Sequence, residues 1–318
     1  MIKWRLQFII LKKIIETSKE NIVKENSTTK SYVLMISSML VFGTIGVFRR
    51  YIPLSSGMLA FIRGVVGSLF LLAFVKIKGI KVVKDIEKRS LILTIVSGGF
   101  IGINWILLFE AFNYTTVATA TLCYYMQPTI VIFLSPFVLK EKLGVKKIIC
   151  AIVSIIGMLF VAGVIDAGQT LYIADLKGVF LGLGAAAFYS AVVMMNKMIN
   201  IKNAYTKTII QLSSAAIILI PYLIATGEFS ALGSSEDING LVIAMILVVG
   251  IIHTGIAYAM YFGSMRNLKA QSIAILSYID PVFALVLSAV VLRERMTAFG
   301  IVGAVLILGS ALISEKIG

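Results

Sequence analysis

Four ionisable side chains interrupt the long apolar runs of this 318-residue chain, namely Arg63, Glu110, His253 and Asp280. His253 and Asp280 each lie near the middle of such a run, so a helical rise of ~1.5 Å per residue would bring an imidazole and a carboxylate to one depth. Such a pair could share or relay a proton. The structural alternative is that Asp280 caps a helix break made by Pro281, while His253 bonds a neighbouring carbonyl. The sequence leaves both interpretations open.

Arg63 lies early in its run and Glu110 lies at the end of the next run, so two successive spans would place both in the same half of a bilayer, roughly 10 Å apart in depth by helical rise. An arginine side chain can shorten such a gap by snorkelling, which predicts a salt bridge that closes this end. The alternative is that Glu110 touches interfacial water and Arg63 binds a lipid phosphate. Because Arg63 lies well inside its run, a buried carboxylate partner is favoured, either Glu110 or Asp280.

The composition requires a lipid bilayer around these residues. Apolar residues make up 59% of the chain and charged residues 14%, with a mean hydropathy of +0.99. An ionisable side chain in hydrocarbon costs about 2.5 to 3.5 kcal/mol on insertion scales, so each of the four is a functional candidate. The net charge of +14 does not indicate nucleic acid, because the cations lie between apolar runs. Cys123 and Cys150 both fall inside apolar segments, which excludes a disulfide framework and a metal site; no cofactor is expected.

About 20 apolar residues are needed for one helical span. Such runs occur at about 32–48, 57–75, 91–110, 117–138, 147–163, 178–195, 208–225, 241–262, 271–291 and 297–314. The predicted fold is an all-α polytopic membrane protein of ten transmembrane helices. Five spans per unit force the second unit to enter from the opposite side of the membrane, so the two units form an inverted repeat.

Two pairs of motifs carry the repeat at one constant spacing of 153 residues. The segments 122–128 and 275–281 both end in proline, and the segments 139–142 and 292–295 both hold a glutamate between cations. The first unit covers 31–165 and the second 176–314. Residues 1–30 form a basic segment, for which an amphipathic helix on the inner leaflet and a disordered tail are equal alternatives.

A mid-span proline frees a carbonyl and bends the helix, so Pro128 and Pro281 are predicted hinges. Gln127 and Asp280 precede them at equivalent positions. Both units are therefore predicted to have the same hinge, and only the second has a charged residue beside it. The loop cations divide 23 to 5 when both termini are cytoplasmic, as the positive-inside rule requires for a bacterial-type plasma membrane.

The aligned repeat resembles the drug/metabolite transporter superfamily, specifically its EamA-type ten-helix carriers. The resemblance rests on the stretch 104–111, the run 115–120, Pro128 with Glu141, the stretch 277–281 with Glu294, and Arg63 within 61–64. It implies a central cavity lined by spans 1, 3, 4, 6, 8 and 9, with Arg63 and Gln211 at its flanks. The implied activity is secondary active transport of a small polar metabolite, an amino acid or related compound, by alternating access. Export and proton coupling are the expected mode.

The candidates for binding substrate or the coupling ion share mid-span depth or a polar character: Asp280, His253, Gln127, Arg63, Glu110, Asn104, Tyr124, Tyr125 and Tyr278. The expected partners are a small-molecule substrate and the bilayer, with a homodimer left open. A channel or scaffold without coupled transport is the alternative function. An intramembrane enzyme is disfavoured, because the ionisable residues are single and scattered over four spans.

Overall fold

The computed structural model describes residues 28–82, 85–138, 140, 144–161, 173–201, 203–231, 239–265, 268 and 276–317. Within these ranges the chain is helical and contains no strand. Seven of its helices are long and apolar enough to cross a membrane, and shorter helices accompany them. Of the predicted N-terminal segment 1–30, residues 1–27 lie outside the described residues. Residues 271–275 of the ninth predicted span and Glu141 also lie outside them.

The helices follow one another with short connections. They are α1 (Thr28–Tyr51), α2 (Ser56–Ile77), α3 (Lys88–Tyr114), α4 (Val117–Val138), α5 (Val145–Val161), α6 (Ile173–Met198), α7 (Ala204–Ala225), α8 (Gly240–Tyr261, continuing to Met265), α9 (Ile279–Val290) and α10 (Ala298–Ile317), with a single turn of helix at Glu228–Ala231 before α8. Side-chain caps begin several of them, as where Thr116 accepts from the amide of Thr119 at the start of α4.

Helix breaks occur at three places that matter for the site. α1 has a turn at Thr44, and α4 divides into Val117–Tyr124 and Gln127–Val138 at a turn over Tyr125 and Met126. Pro128 therefore lies in the first turn of the second half of α4, where a missing amide is tolerated. A turn at Tyr278 precedes α9 in the same relation to Pro281.

The middle of α8 is a π-helix over Val248–Ile256, which the sequence analysis did not predict. The Thr254 hydroxyl donates to the carbonyl of Val249, five residues back, at 3.0 Å. π-helical turns inside α-helices are uncommon and frequent at functional sites. Here the wider turn aims His253 at α1 and Thr254 at α2.

Close helix contacts use small residues, as expected for packing within a membrane. A Cβ on Gly67 of α2 would lie 2.3 Å from the Thr254 methyl group, and one on Gly98 of α3 would lie 2.5 Å from the Gln211 carbonyl oxygen. The main pairs are α2 with α7 and α8, α3 with α6 and α7, α4 with α6 and α9, α1 with α8 and α9, and α5 with α10. α1–α4 and α6–α9 therefore pack around the centre, while α5 and α10 pack against each other.

Candidate functional site

A central cavity of about 520 Å³ lies among α1, α2, α3, α4, α6, α8 and α9. Its polar lining brings together most of the predicted residues: Arg63, Asn104, Tyr124, Tyr125, Gln127, Tyr278 and Asp280, joined by Tyr189, Tyr258 and Tyr261. Pro128 also lines it. His253, Glu110 and Gln211 do not line this cavity.

Asp280 lies in the first turn of α9, directly after the break at Tyr278. Its carboxylate accepts a hydrogen bond from the Tyr125 hydroxyl at 2.8 Å. The rings of Tyr125 and Tyr278 are 6.4 Å apart, so the two residues that precede the repeated prolines meet across the cavity. The carboxylate contacts Tyr125, and no side-chain cap begins α9. The structure therefore does not show the alternative in which Asp280 caps amides freed by Pro281.

Arg63 is held on α2 by aromatic rings and a hydroxyl, with no carboxylate in contact among the described residues. Its guanidinium carbon lies 4.1 Å from the centre of the Trp105 ring and 5.5 Å from that of Phe109, both on α3. Its Nε donates to the Thr254 hydroxyl at 3.1 Å. The predicted ion pair of Arg63 with Glu110 or Asp280 is therefore wrong: cation–π contacts and a neutral hydroxyl hold the guanidinium.

Glu110 belongs to a second polar cavity, of about 580 Å³, near the start of α2. Its carboxylate accepts from the Ser56 hydroxyl at 2.7 Å and from the Asn113 amide at 3.0 Å. The arginine in this cavity is Arg49, whose guanidinium donates to Ser56, Asn113 and the carbonyl of Ile52 at 3.0 to 3.2 Å. Arg49 lies at a helix end, where a cation is ordinary, so its position in the sequence did not indicate this role.

His253 faces α1 and not the cavity. Its Nε2 lies 2.6 Å from the Thr44 hydroxyl and its Nδ1 lies 3.3 Å from the Val248 carbonyl oxygen. The Phe48 ring packs edge-on against the imidazole at 4.9 Å. No contact joins His253 to Asp280 among the described residues, so the predicted direct proton relay between them is wrong. The contact of His253 with the Val248 carbonyl agrees with the structural alternative, in which the imidazole bonds a neighbouring carbonyl.

Two of the remaining candidates are held by backbone contacts. The Asn104 side chain donates to the carbonyl of Ala185 on α6 at 2.7 Å, and the Gln127 carbonyl accepts from the Ser190 hydroxyl at 3.1 Å. The Tyr124 ring packs against those of Tyr125 and Tyr189, with ring centres 5.8 and 5.6 Å apart. The cavity wall is therefore a connected set of tyrosines.

One end of the bundle is joined by charged groups around Glu294, the glutamate of the second repeated motif. Glu294, after α9, accepts from Arg50 and from the Val117 amide, each at 2.9 Å, and from the Ser288 hydroxyl. Arg50 also donates to the carbonyl of Thr115 at 2.7 Å. We call the region formed by Arg49, Arg50, Glu110, Thr115 and Glu294 the Glu294 end. The repeated glutamate between two cations was the available signal for it.

The EamA-like transporter family matches residues 29–163 and 176–315. The chain is 33% identical over 284 residues to "Uncharacterized transporter YxxF" of Bacillus subtilis, covering 89% of this chain and 88% of that protein. It is 24% identical over 299 residues to "Uncharacterized inner membrane transporter YicL" of Salmonella typhimurium, covering 90% and 95% of the two chains.

A solved crystal structure shares the fold, with a TM-score of 0.61 over 91% of this chain and 99% of the other, at 16% identity. The apolar helices and these relatives make the protein an integral membrane transporter. Because the two family matches together cover most of its length, the chain belongs to the EamA-like transporter family.

Proposed function

We propose that the protein is a secondary active transporter that exports a small polar metabolite, an amino acid or related compound, by alternating access coupled to protons. The observation that carries the proposal is the central cavity, which places the charged groups Arg63 and Asp280 among tyrosines inside an apolar bundle. Charges within a membrane are expensive, and they mark substrate and ion pathways. The volume of about 520 Å³ suits a small metabolite.

The proposed architecture is ten spans in two inverted units, 31–165 and 176–314. Helix contacts support it, because the main contacts form matching pairs when α1–α5 are exchanged with α6–α10: α3–α7 with α2–α8, α4–α6 with α9–α1, and α3–α6 with α8–α1. The pairs α2–α7, α4–α9 and α5–α10 map onto themselves. Lys140 and Arg293, which are repeat counterparts, also share a left-handed backbone, with φ of 56° and 57°.

The proposed orientation puts both termini in the cytoplasm and the Glu294 end outside, in the inner membrane of a bacterial-type cell. The excess of cations in the loops assigned to the inside supports this. Cysteines introduced at Gly240 and Asp85 test it, because Cys123 and Cys150 are buried and unreactive to an impermeant maleimide. Gly240→Cys should be labelled in intact cells and Asp85→Cys only after lysis. The reverse pattern would overturn the orientation.

Proton coupling is assigned to Asp280. Its carboxylate can hold either a proton or a cationic group of the substrate, and Tyr125 bonds it within the cavity. Competition of proton and substrate for one carboxylate yields exchange, so a proton entering from outside would release the substrate there.

The test is substrate-driven proton flux in proteoliposomes that contain a trapped pH-sensitive dye, with each proteinogenic L-amino acid added in turn. The unchanged protein should move protons with at least one of them. Asp280→Asn, which resembles Gln127 of the first repeat, should fold and lose this flux by at least tenfold. Asp175→Asn, at an exposed carboxylate at the start of α6, is the control and should retain it. Full pH-driven flux in Asp280→Asn would falsify the coupling role.

A further inference from the structure

The guanidinium of Arg63 has N–H donors that none of the described residues accepts from. The side chain is only 5% exposed, and Trp105 and Phe109 cover its guanidinium. A guanidinium carries five N–H donors. The donor on Nε is used by Thr254 at 3.1 Å, and the two terminal nitrogens have no acceptor among the residues that the structure describes. Because Arg63 lines the central cavity, a molecule bound in the cavity can supply that acceptor.

The missing acceptor has a definite chemistry. A buried cation without an anionic partner is costly, and a planar guanidinium matches a carboxylate through two parallel hydrogen bonds. The π-helical turn that carries Thr254 fixes Nε, and the Trp105 ring fixes the plane of the guanidinium. Arg63 is therefore oriented before any ligand arrives, which lowers the entropic cost of binding one.

The Asp280 carboxylate can accept further hydrogen bonds from a ligand. A carboxylate offers about four lone-pair sites, and the contact that the structure gives it is the hydrogen bond from Tyr125. Tyr124 and Tyr258 each lie within electrostatic range of both Arg63 and Asp280. The two opposite charges therefore face one cavity with tyrosines between them, and tyrosine rings also favour a cationic group.

We propose that the cavity binds a zwitterion, with the carboxylate of the ligand on the terminal nitrogens of Arg63 and its ammonium group on Asp280. This inference rests on the proposed function of the cavity as the transport site and adds the group that each side chain recognises. A ligand with one charge would leave either the guanidinium or the carboxylate of the site buried and unpaired, so both charges of the ligand contribute to selection.

The test measures thermal stabilisation and equilibrium binding of the purified full chain with three series of probes. The probes are the proteinogenic L-amino acids, their C-terminal amides and their N-acetyl derivatives. For at least one amino acid we expect both derivatives to bind at least tenfold more weakly than the free zwitterion. No binding by any free amino acid, or derivatives that bind within tenfold of every bound parent, would overturn the proposal.

Two variants separate recognition from a folding defect. Arg63→Gln should abolish the preference for the acid over the amide and keep the preference for the free amine over the N-acetyl form. Asp280→Asn should abolish the preference for the free amine over the N-acetyl form and keep the preference for the acid over the amide. A uniform loss for all probes in both variants, with folding intact, would contradict separate recognition of the two groups. Arg293→Gln, at an exposed cation outside the cavity, is the control and should change neither preference.

The proteoliposome assay distinguishes this inference from the proposed function. Proton flux driven by a compound that is not a zwitterion, with no binding by any zwitterionic probe, would overturn the inference and leave coupled transport in place. Zwitterion binding with the crossed preferences but no coupled flux would support the inference and overturn the proposed coupling.

Discussion

The Glu294 end and the central cavity both contain buried arginine, and they differ in how completely it is bonded. At the Glu294 end, Arg49 donates to three protein acceptors and Arg50 to two. In the cavity, Arg63 donates to one. A charge that donates to several protein groups holds helices together, whereas a charge that donates to one depends on a ligand for its remaining donors. The comparison separates residues that close the bundle from residues that select its contents.

The comparison extends to the proposed repeat. Gln211 lies on α7, the helix that corresponds to α2 when the two proposed units are exchanged, and donates to the hydroxyl of Ser97 and to the side chain of Asn196, at 2.8 and 3.1 Å. Gln127, the predicted counterpart of Asp280, carries no charge. Arg63 and Asp280 thus come from different proposed units and share the cavity. If the two units are repeats, as proposed, the site between them is asymmetric in charge.

The largest predicted effect on stability is at Arg49. Arg49→Gln removes a charged donor from Ser56, Asn113 and a carbonyl, and should lower the free energy of unfolding by about 3 kcal/mol. Arg63→Gln should change it by less than about 1 kcal/mol, since the lost contacts are offset by removal of an incompletely bonded charge. Thermal unfolding followed by a dye that reacts with the buried Cys123 and Cys150 measures both. Equal destabilisation of the two variants would erase the distinction between the regions.

A smaller effect is predicted where α2 touches the π-helix. Gly67→Ala places a Cβ within 2.9 Å of the Thr254 Cβ and closer still to its methyl group. Overpacking of this kind costs about 1 to 3 kcal/mol, and moving Thr254 should also weaken ligand binding by releasing the Nε of Arg63. Gly309→Ala on α10 is the control, because nothing lies within 4 Å of its added Cβ. Unchanged ligand affinity in Gly67→Ala would show that Thr254 does not orient Arg63.

The sequence predicted the helices and several of the polar residues of the cavity wall, but not the partners of its charges. Hydropathy and the proline repeat located α1–α10 and placed Arg63, Asn104, Tyr125 and Asp280 at suitable depths. Depth fixes one coordinate only, whereas rotation about each helix axis decides which side chains meet. The π-helix at Val248–Ile256 changes that rotation in α8, so His253 faces Thr44 and not Asp280. Neither the turn at Thr44 nor the role of Arg49 has a signal in hydrophobic periodicity.

Loosening the Glu294 end should alter access to the cavity. Glu294→Gln removes the ion pair with Arg50 and weakens the acceptor for the Val117 amide, contacts that join the two repeat units. Both side chains are partly exposed, at 32% and 13%, so screening limits the loss to about 1 to 1.5 kcal/mol. That shifts a closed-to-open equilibrium by about tenfold.

The measurement is the labelling rate of a cysteine placed at Ser277, in the cavity wall, by an impermeant maleimide added to intact cells. It should rise by about tenfold in Glu294→Gln and by less in Arg50→Gln, which keeps the contacts of Glu294 with Val117 and Ser288. A rate unaffected by either change would mean that the Glu294 end does not control access.

The smallest predicted effect concerns the backbone that presents Glu294. Arg293 has a φ of 57°, in the left-handed region, and the turn lets the Glu294 amide donate to the carbonyl of Ser288 at 3.1 Å. A non-glycine residue in this conformation costs roughly 1 kcal/mol, and Arg293→Gly removes that cost. Glycine also makes the unfolded chain more flexible, which offsets part of the gain, so the free energy of unfolding should rise by less than about 1 kcal/mol. Arg295→Gly, without a left-handed φ, should lower it slightly. If the two changes shift the melting temperature in the same direction, the backbone at Arg293 is not strained, and Glu294 is positioned by its side-chain contacts alone.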